Sequence, residues 1–209
     1  MPYAVISDVH SNLSALHAVL KDIERRQEVS AVYFTGDVVG YGPKPDECID
    51  IIKEHCNICL AGNHDWAVIG YTDISYFNEN ALKASLWTRS VISDEHIEDI
   101  TNFKIIKKMP DLNAMFVHST PDAPEDWKYI FTTSDAEHCF QHFDHQFCFI
   151  GHSHFPGIFE KKADGDIVEY KGSIKINETS RYIINSGSVG QPRDGDPRAS
   201  YVYINGDFI

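Results

Sequence analysis

The chain has 209 residues, of which 43% are hydrophobic and 23% charged, and its formal net charge is −13. This length can bury one sizeable core, so we expect a single domain over residues 1–209. The negative charge argues against general nucleic-acid binding, which needs a basic surface. No apolar run approaches the length that spans a bilayer, so no membrane association is expected.

Cysteine usage and the two ends of the chain bear on location. A predicted strand begins almost at the first residue and leaves no room for a cleavable signal segment. The five cysteines are irregularly spaced and do not suggest a disulfide framework, so a cytoplasmic protein is expected. Residues 205–209 resemble a turn that starts another strand, which leaves open that the C-terminal end is truncated. The oligomeric state is not indicated.

The first half alternates between strands and helices. Apolar runs predict strands at Tyr3–Ser7, Ala31–Thr35 and Cys56–Ala61. Helical periodicity predicts helices at about Leu13–Arg26 and Pro45–His55 between them. Two such strand–helix–strand units imply parallel pairing with right-handed crossovers.

The later part changes in character. A loop over the site is expected at Trp66–Phe77, followed by a helix over Asn78–Ile92 and another that Asp94 would cap. From about Lys104 strands dominate, and turn signals between them favour antiparallel hairpins. These strands are expected at Ala114–Val117, Phe147–Ile150, Gly157–Glu160, Ile167–Tyr170, Tyr182–Asn185 and Ser200–Ile204, with one helix at about Asp135–Phe143.

Five of the predicted strands are followed directly by metal-binding side chains. Ligands in α/β proteins bind at the carboxyl ends of strands, so these five segments are expected to form one site. Each motif alone is common in turns or at surfaces; their coincidence is what favours a metal site. The candidate ligands are Asp8, His10, Asp37, Asn63, His118, His152 and His154.

The donor set predicts the kind of metal. Four imidazoles, two carboxylates and one amide exceed what one tetrahedral zinc ion needs, and they suit two divalent ions chosen from Mn, Fe, Co, Ni and Zn. The absence of thiolates argues against a structural zinc site. His64 is not among these candidate ligands. It could protonate a leaving group, with Asp65 orienting its ring.

The five segments resemble the signature of the calcineurin-like metallophosphoesterases over about residues 3–155. The resemblance implies an α/β fold in which two mixed β-sheets pack as a sandwich flanked by helices. It also implies one metal on Asp8, His10 and His154, and a second on Asn63, His118 and His152. Asp37 would bridge the two metals, and His64 would be the general acid.

The residues that follow Asp37 indicate the subgroup within this family. Protein phosphatases and symmetrical dinucleoside tetraphosphatases carry an arginine soon after the Gly-Asp pair, and this chain has none there. The sequence instead resembles the prokaryotic YfcE-like phosphodiesterases. This resemblance implies hydrolysis of small phosphodiesters by attack of a metal-bridging hydroxide. The alternatives are a hydrolase of dinucleoside polyphosphates, nucleotides or RNA ends on the same site, and a non-catalytic scaffold that retains the fold.

A late glycine-containing loop offers a further candidate. Gly187 and Gly190 would let a row of backbone N–H groups form an anion-binding nest. Arg193 could then contact a substrate phosphate. The alternative is a tight turn in which Arg193 pairs with Asp194 or Asp196.

Overall fold

Two mixed β-sheets form the centre of the protein in a computed structural model, which describes residues 1–26 and 28–209. The four-stranded sheet has the order β10-β1-β2-β3, and the six-stranded sheet has the order β4-β5-β6-β9-β7-β8. The strands are β1 (Tyr3–Ile6), β2 (Ala31–Phe34), β3 (Ile58–Cys59), β4 (Ile106–Met109), β5 (Ala114–Val117), β6 (Phe147–Ile150), β7 (Gly157–Lys161), β8 (Ile167–Tyr170), β9 (Arg181–Asn185) and β10 (Val202–Ile204).

Within residues 1–26 and 28–209, six α-helices accompany the sheets. They are α1 (Leu13–Arg25), α2 (Pro45–His55), α3 (Asn63–Ile69), α4 (Glu79–Val91), α5 (Asp94–Asn102) and α6 (Thr133–Cys139). Asn12 begins α1, and its side chain accepts a hydrogen bond from the backbone N–H of Ala15. In the described ranges, no helix combines the length and hydrophobicity that crossing a membrane requires.

The layering follows from the alternation of side chains along each strand. Tyr3 and Val5 of β1 belong to a cluster that also contains Phe116 of β5, so they fill the space between the two sheets. Ala4 and Ile6 point the other way, into the cluster that holds α1 and α2. A third apolar cluster joins α6 to the outer face of the six-stranded sheet. The predicted sandwich flanked by helices is confirmed.

The parallel pairing of the first half is also confirmed, since β1 pairs with β2 and β2 with β3 in parallel. The second half differs from the expected antiparallel arrangement. β5 pairs with β6, and β6 with β9, in parallel, whereas β4, β7 and β8 pair antiparallel. Turn signals report hairpins, but they carry no information on strands that pair across a long connection.

Several local predictions were wrong in detail. The Trp66–Phe77 segment is not entirely a loop, because α3 runs to Ile69 before Gly70 ends it in the left-handed conformation. The third strand is only Ile58–Cys59. Ser93, not Asp94, caps α5, since its side chain accepts the backbone N–H of His96. Strand β4 was missed because its polar residues show no apolar run.

Candidate metal centre

All five candidate segments meet at one edge of the sandwich. They follow the carboxyl ends of β1, β2, β3, β5 and β6, and these strands run parallel within their sheets. Backbone hydrogen bonds join the first two loops, from Asp8 N–H to the Gly36 carbonyl and from His10 N–H to the Asp37 carbonyl. The seven predicted ligands are all buried. The structure therefore brings together every residue in the predicted ligand set.

The backbone at this edge is unusually strained. Positive φ is uncommon outside glycine and costs on the order of 1–3 kcal/mol when the residue is bulky or constrained. Of nine such residues in the described chain, only Asn113 lies away from the site. The others are Asp8, His10, Ser11, Asp37, Tyr41, Trp127, His152 and His154. The surrounding loops therefore hold the candidate ligands in conformations that their own sequence would not choose.

Each of the four candidate ligand histidines is anchored at one ring nitrogen. A main-chain carbonyl accepts from that nitrogen, which fixes the tautomer and turns the other nitrogen toward the shared centre. Three rings use Nδ1 for this anchor and one uses Nε2. The anchored pairs are His10 Nδ1 with Val39, His118 Nδ1 with Thr35, His154 Nδ1 with Gln191, and His152 Nε2 with Trp127.

The inward-facing atoms of the described residues form three groups of metal-ligand dimensions, with the ligand atoms of each within 4.8 Å of one another. Asp8, His10 and His154 make one group, and Asp37, His118 and His152 make a second that shares no residue with it. The third group, His10, Asp37 and His64, shares one residue with each of the others. Asp37 Oδ2 lies 3.3 Å from His118 Nε2 and 3.7 Å from His10 Nε2. This one carboxylate is thus placed between the two groups.

The polar atoms of the site fit divalent cations. His10 Nε2 faces His154 Nε2 at 3.1 Å, although both rings already donate through Nδ1. Two lone pairs facing each other in a buried site repel unless a positive charge lies near them. Asp8 Oδ1, Asn63 Oδ1 and His118 Nε2 are buried without hydrogen-bond partners in the described structure. Buried polar atoms rarely lack partners, and cations would satisfy all of them.

The pKa values of these groups reflect a dense cluster of buried charges. Burial raises the pKa of Asp8, but the nearby His154 ring, with Nε2 3.1 Å from Asp8 Oδ1, outweighs burial and lowers the pKa below its usual range. Burial lowers the pKa of His152 to about 3. Burial also disfavours the charged form of His118, yet the neighbouring Asp37 carboxylate raises the pKa of that ring to about 9. The neighbouring imidazoles lower the pKa of Asp37 as well, so the Asp8 and Asp37 carboxylates can offer negative charge to cations.

His64 belongs to the third of these groups but differs from the four candidate ligand histidines, because its Nδ1 has no carbonyl anchor in the described structure. Its ring centroid is 4.8 Å from those of both His10 and Tyr41, and 5.0 Å from that of Phe77. Nδ1 is buried without a hydrogen-bond partner in the described structure. Burial lowers the pKa of His64, so the ring is neutral before substrate arrives. The ring lines the cavity, where it can exchange a proton with a bound molecule.

Asp65 does not orient the His64 ring as predicted. Its two carboxylate oxygens instead accept backbone N–H groups from Asp37 at 2.8 Å, Gly62 at 2.9 Å and Val39 at 3.1 Å. Burial and the Asp37 charge raise the pKa of Asp65 to about 7. Asp65 lies in the first turn of α3. From there its hydrogen bonds connect the loop after β2 to the loop after β3. Adjacency in sequence suggested a side-chain pair that the helix geometry does not provide.

The late loop is not an anion nest. The N–H groups of Gly187, Val189 and Gly190 all bind protein acceptors, among them the Ser7 and Asp8 carbonyls. Arg193 is not paired with Asp194 or Asp196 either. Its guanidinium contacts Gln191 Oε1 at 2.6 Å and the Tyr41 hydroxyl at 3.5 Å. In the described ranges no carboxylate lies within ion-pair distance of it, and it lines the cavity.

Aromatic residues complete the cavity, and most of them were not predicted as site residues. The cavity has a volume of about 370 Å³. The wall includes Tyr41, Tyr76, Phe77, Trp127 and Tyr129. The carbonyl of Trp127 anchors His152, and the Tyr129 ring stacks on His152 with centroids 4.1 Å apart. Tyr76 and Phe77 lie in the Trp66–Phe77 segment that was expected to cover the site, whereas the sequence signal for Trp127 and Tyr129 is the density of aromatic residues over 127–131.

Comparisons with known proteins agree with this geometry. Residues 1–156 match the model of the calcineurin-like phosphoesterase family. An uncharacterised protein, MJ0912 of Methanocaldococcus jannaschii, is 39% identical over 98% of this chain and 83% of its own length. A metallophosphoesterase from Sphaerobacter thermophilus is 38% identical, with a TM-score of 0.81 over 98% of this chain and 83% of that one. YfcE, a phosphoesterase from E. coli, shares the fold at a TM-score of 0.53 and 16% identity, over 99% of this chain and 90% of its own.

Proposed function

The chain belongs to the calcineurin-like phosphoesterase family of metal-dependent phosphoesterases, and on that premise we propose a dinuclear phosphodiesterase that hydrolyses small phosphodiesters. The observation that carries the proposal is the pair of three-residue ligand groups with the Asp37 carboxylate between them. One ion could use either group alone. A set of seven buried donors is better satisfied by two ions.

The proposed ligands divide as the sequence resemblance implies. One ion would be held by Asp8, His10 and His154, which are already grouped. The other would be held by His118 and His152 together with the unpartnered amide oxygen of Asn63. Asp37 would serve both. Manganese is among the ions that this mixed nitrogen and oxygen set suits, along with iron, cobalt, nickel and zinc.

The chemistry divides between the ions and the chain. Bound divalent ions supply positive charge that polarises the phosphate and lowers the pKa of the attacking water. The chain would hold the diester beside this charge, in a cavity whose wall is largely aromatic. A ring nitrogen of His64 gives a proton to the leaving oxygen as the ester bond breaks. A bound anion would raise the pKa of that ring and prepare it for this step.

The charge of the cavity supports a diester rather than a monoester substrate. Arg193 is the one lysine or arginine among the residues that line it. A monoester carries close to two negative charges at neutral pH, whereas a diester carries one and has a second arm to accommodate. One guanidinium held in place by Gln191 and Tyr41 suits a single non-bridging phosphate oxygen.

The cellular location is also part of this proposal. We place the protein in the cytoplasm, which agrees with its five free cysteines, since thiols persist in a reducing compartment. Oxidised samples with a specific disulfide would argue against this placement.

A panel of substrates and metals tests the proposed function. The protein is stripped with a chelator and reloaded with Mn²⁺, Ni²⁺, Co²⁺ or Zn²⁺, and then assayed on methyl p-nitrophenyl phosphate and on p-nitrophenyl phosphate. We expect the diester to give the higher kcat/KM with at least one metal, and the stripped protein to be inactive.

Three results would redirect the proposal. A higher kcat/KM for the monoester would make the protein a phosphatase. Hydrolysis of a dinucleoside polyphosphate but not of simple diesters would favour the alternative nucleotide hydrolase. Failure on every phosphoester with every metal would favour a non-catalytic scaffold.

A further inference from the structure

A series of aromatic rings leads from the metal centre out of the cavity. Tyr129 stacks on His152, and Phe131 stacks on Tyr129 with centroids 5.3 Å apart and an interplanar angle of 19°. Phe155 then meets Phe131 edge-on at 5.8 Å. Each ring lies within 6 Å of the previous one. We call Tyr129, Phe131 and Phe155 the aromatic platform.

All three rings of the aromatic platform are partly exposed to solvent. Tyr129, Phe131 and Phe155 are 47%, 51% and 43% exposed. Ile130, between the first two, is 5% exposed and packs in the cluster below α6. The chain therefore buries the aliphatic residue of this segment and presents the aromatic residues on either side of it. A patch of exposed rings at the mouth of a site is typical of a ligand-binding surface.

The backbone of the platform at Phe131 is held by hydrogen bonds to the start of α6. The backbone N–H of Phe131 donates to the Asp135 carboxylate at 3.1 Å. The same carboxylate accepts the N–H and hydroxyl of Thr132, which caps α6. Because the backbone at Phe131 is held in this way, a ligand that stacks on its ring has little backbone to order.

The platform connects two spaces. Tyr129 lines the cavity that contains the ligand groups. Phe131 and Phe155 line a neighbouring groove of about 1020 Å³, together with polar residues that include Lys171 and Asp194. A diester whose phosphorus lies in the cavity can therefore extend one of its arms along the platform into the groove.

We propose that the platform is a subsite for a nucleobase, so that the substrate is a phosphodiester of a single nucleoside. This inference rests on the proposed phosphodiesterase function and names its substrate class. Bases stack on flat rings, and their polar edges need hydrogen-bonding partners such as Lys171 and Asp194. The net charge of −13 disfavours a polymer with many phosphates, whereas one nucleoside diester brings one negative charge.

A matched pair of ligands isolates the contribution of the base. Adenosine 5′-phosphate carries a base at C1 where ribose 5-phosphate has a hydroxyl group, and both can be titrated calorimetrically into Mn²⁺-loaded protein. We expect the nucleotide to bind about tenfold more tightly, in line with stacking on exposed aromatic rings. Phe131→Leu, which keeps an apolar side chain but no ring, should reduce this ratio about fivefold. Phe131→Tyr should restore it.

A substitution away from the platform serves as the control for these titrations. Trp87→Leu removes an aromatic side chain of similar exposure on α4 and should leave the ratio unchanged. Equal binding of the two ligands, or an unchanged ratio in Phe131→Leu, would overturn the inference. So would octyl phosphate binding as tightly as the nucleotide, because an aliphatic site would explain that result. The proposed function fails separately, through absence of methyl p-nitrophenyl phosphate hydrolysis, which does not depend on these titrations.

Discussion

At the scale of single residues, the carbonyl anchors explain how a flexible histidine side chain is held with one ring nitrogen directed toward a metal ion. A neutral imidazole has one donor and one acceptor nitrogen, so a hydrogen bond to a carbonyl decides which nitrogen is left for a metal. His152 is the exception that donates through Nε2, to the Trp127 carbonyl. Sequence motifs identify the ligand residue, but they do not say which nitrogen faces the metal, because the anchoring carbonyls come from other loops.

His64 should affect catalysis without affecting metal content. The ring has no carbonyl anchor in the described structure, which separates it from the four ligand histidines. We expect His64→Ala to keep two ions per chain and to lower kcat on a diester by roughly 10²-fold. A nitrophenyl ester should be less affected than an alkyl ester, since nitrophenolate needs little protonation. Loss of metal in this variant would make His64 a ligand.

Asp65 should matter for stability more directly than for proton transfer. Asp65→Asn can accept fewer of the three backbone N–H groups, and buried donors without partners are costly. We expect the free energy of unfolding in chelator to fall by about 2 kcal/mol, as measured with urea. Asp111→Asn, at an exposed position, serves as the control. An unchanged urea midpoint combined with a large loss of kcat would restore the role of Asp65 in orienting His64.

At the scale of elements, the sequence predicted the strand ends well and the loops between them poorly. Buried strands are visible as apolar runs, and the position of Asp or His after each run was enough to predict one shared site. The left-handed conformations of Asp8, Asp37 and Trp127 were not predictable, since their own preferences oppose them. Contacts between loops impose these conformations, as the hydrogen bond from Asp8 to Gly36 illustrates.

Gly62 tests how closely the loops approach one another. It begins α3, and a Cβ atom there would lie 2.2 Å from Asp37 Oδ1 and 2.7 Å from His118 Nε2. We therefore expect Gly62→Ala to lose at least one bound ion per chain, measured by elemental analysis. Gly157→Ala is the matched control, because its Cβ would meet only the Tyr170 carbonyl, at 3.8 Å. Full metal content in Gly62→Ala would show that the two loops can separate without loss of the site.

The junction of α2 and α5 should make stability depend on pH. His96 contacts Asp46 through Nδ1 at 2.9 Å and Asp50 through Nε2 at 3.0 Å. Burial lowers the pKa of His96, but these hydrogen bonds outweigh it and raise the pKa above 6.5. The protonated ring therefore stabilises the fold below about pH 6.5, and this contribution disappears as pH rises through the higher folded-state pKa.

The variant His96→Gln measures that contribution. Its deficit in unfolding free energy relative to the natural protein should be larger at pH 6 than at pH 9, by about 1 kcal/mol or less because Asp50 is exposed. Urea denaturation at the two pH values provides the comparison. A deficit that is the same at both pH values would mean that the ring bridges the helices in its neutral form.

At the scale of the whole molecule, two sheets and three apolar clusters hold five loops against one another. The sandwich was predicted through resemblance to a family. The order of the six-stranded sheet was not, because β9 lies between β6 and β7 through contacts distant in sequence. Although the chain as a whole is acidic, the cavity carries positive charge from Arg193, and bound divalent ions would add to it.

The central claim is that this edge of the sandwich holds two metal ions, and anomalous diffraction from crystals grown with Mn²⁺ tests it most directly. We predict two anomalous peaks, one among Asp8, His10 and His154 and the other among Asn63, His118 and His152, with Asp37 in contact with both. A single peak, or peaks that leave one of these two groups without an ion at saturating Mn²⁺, would contradict the dinuclear centre.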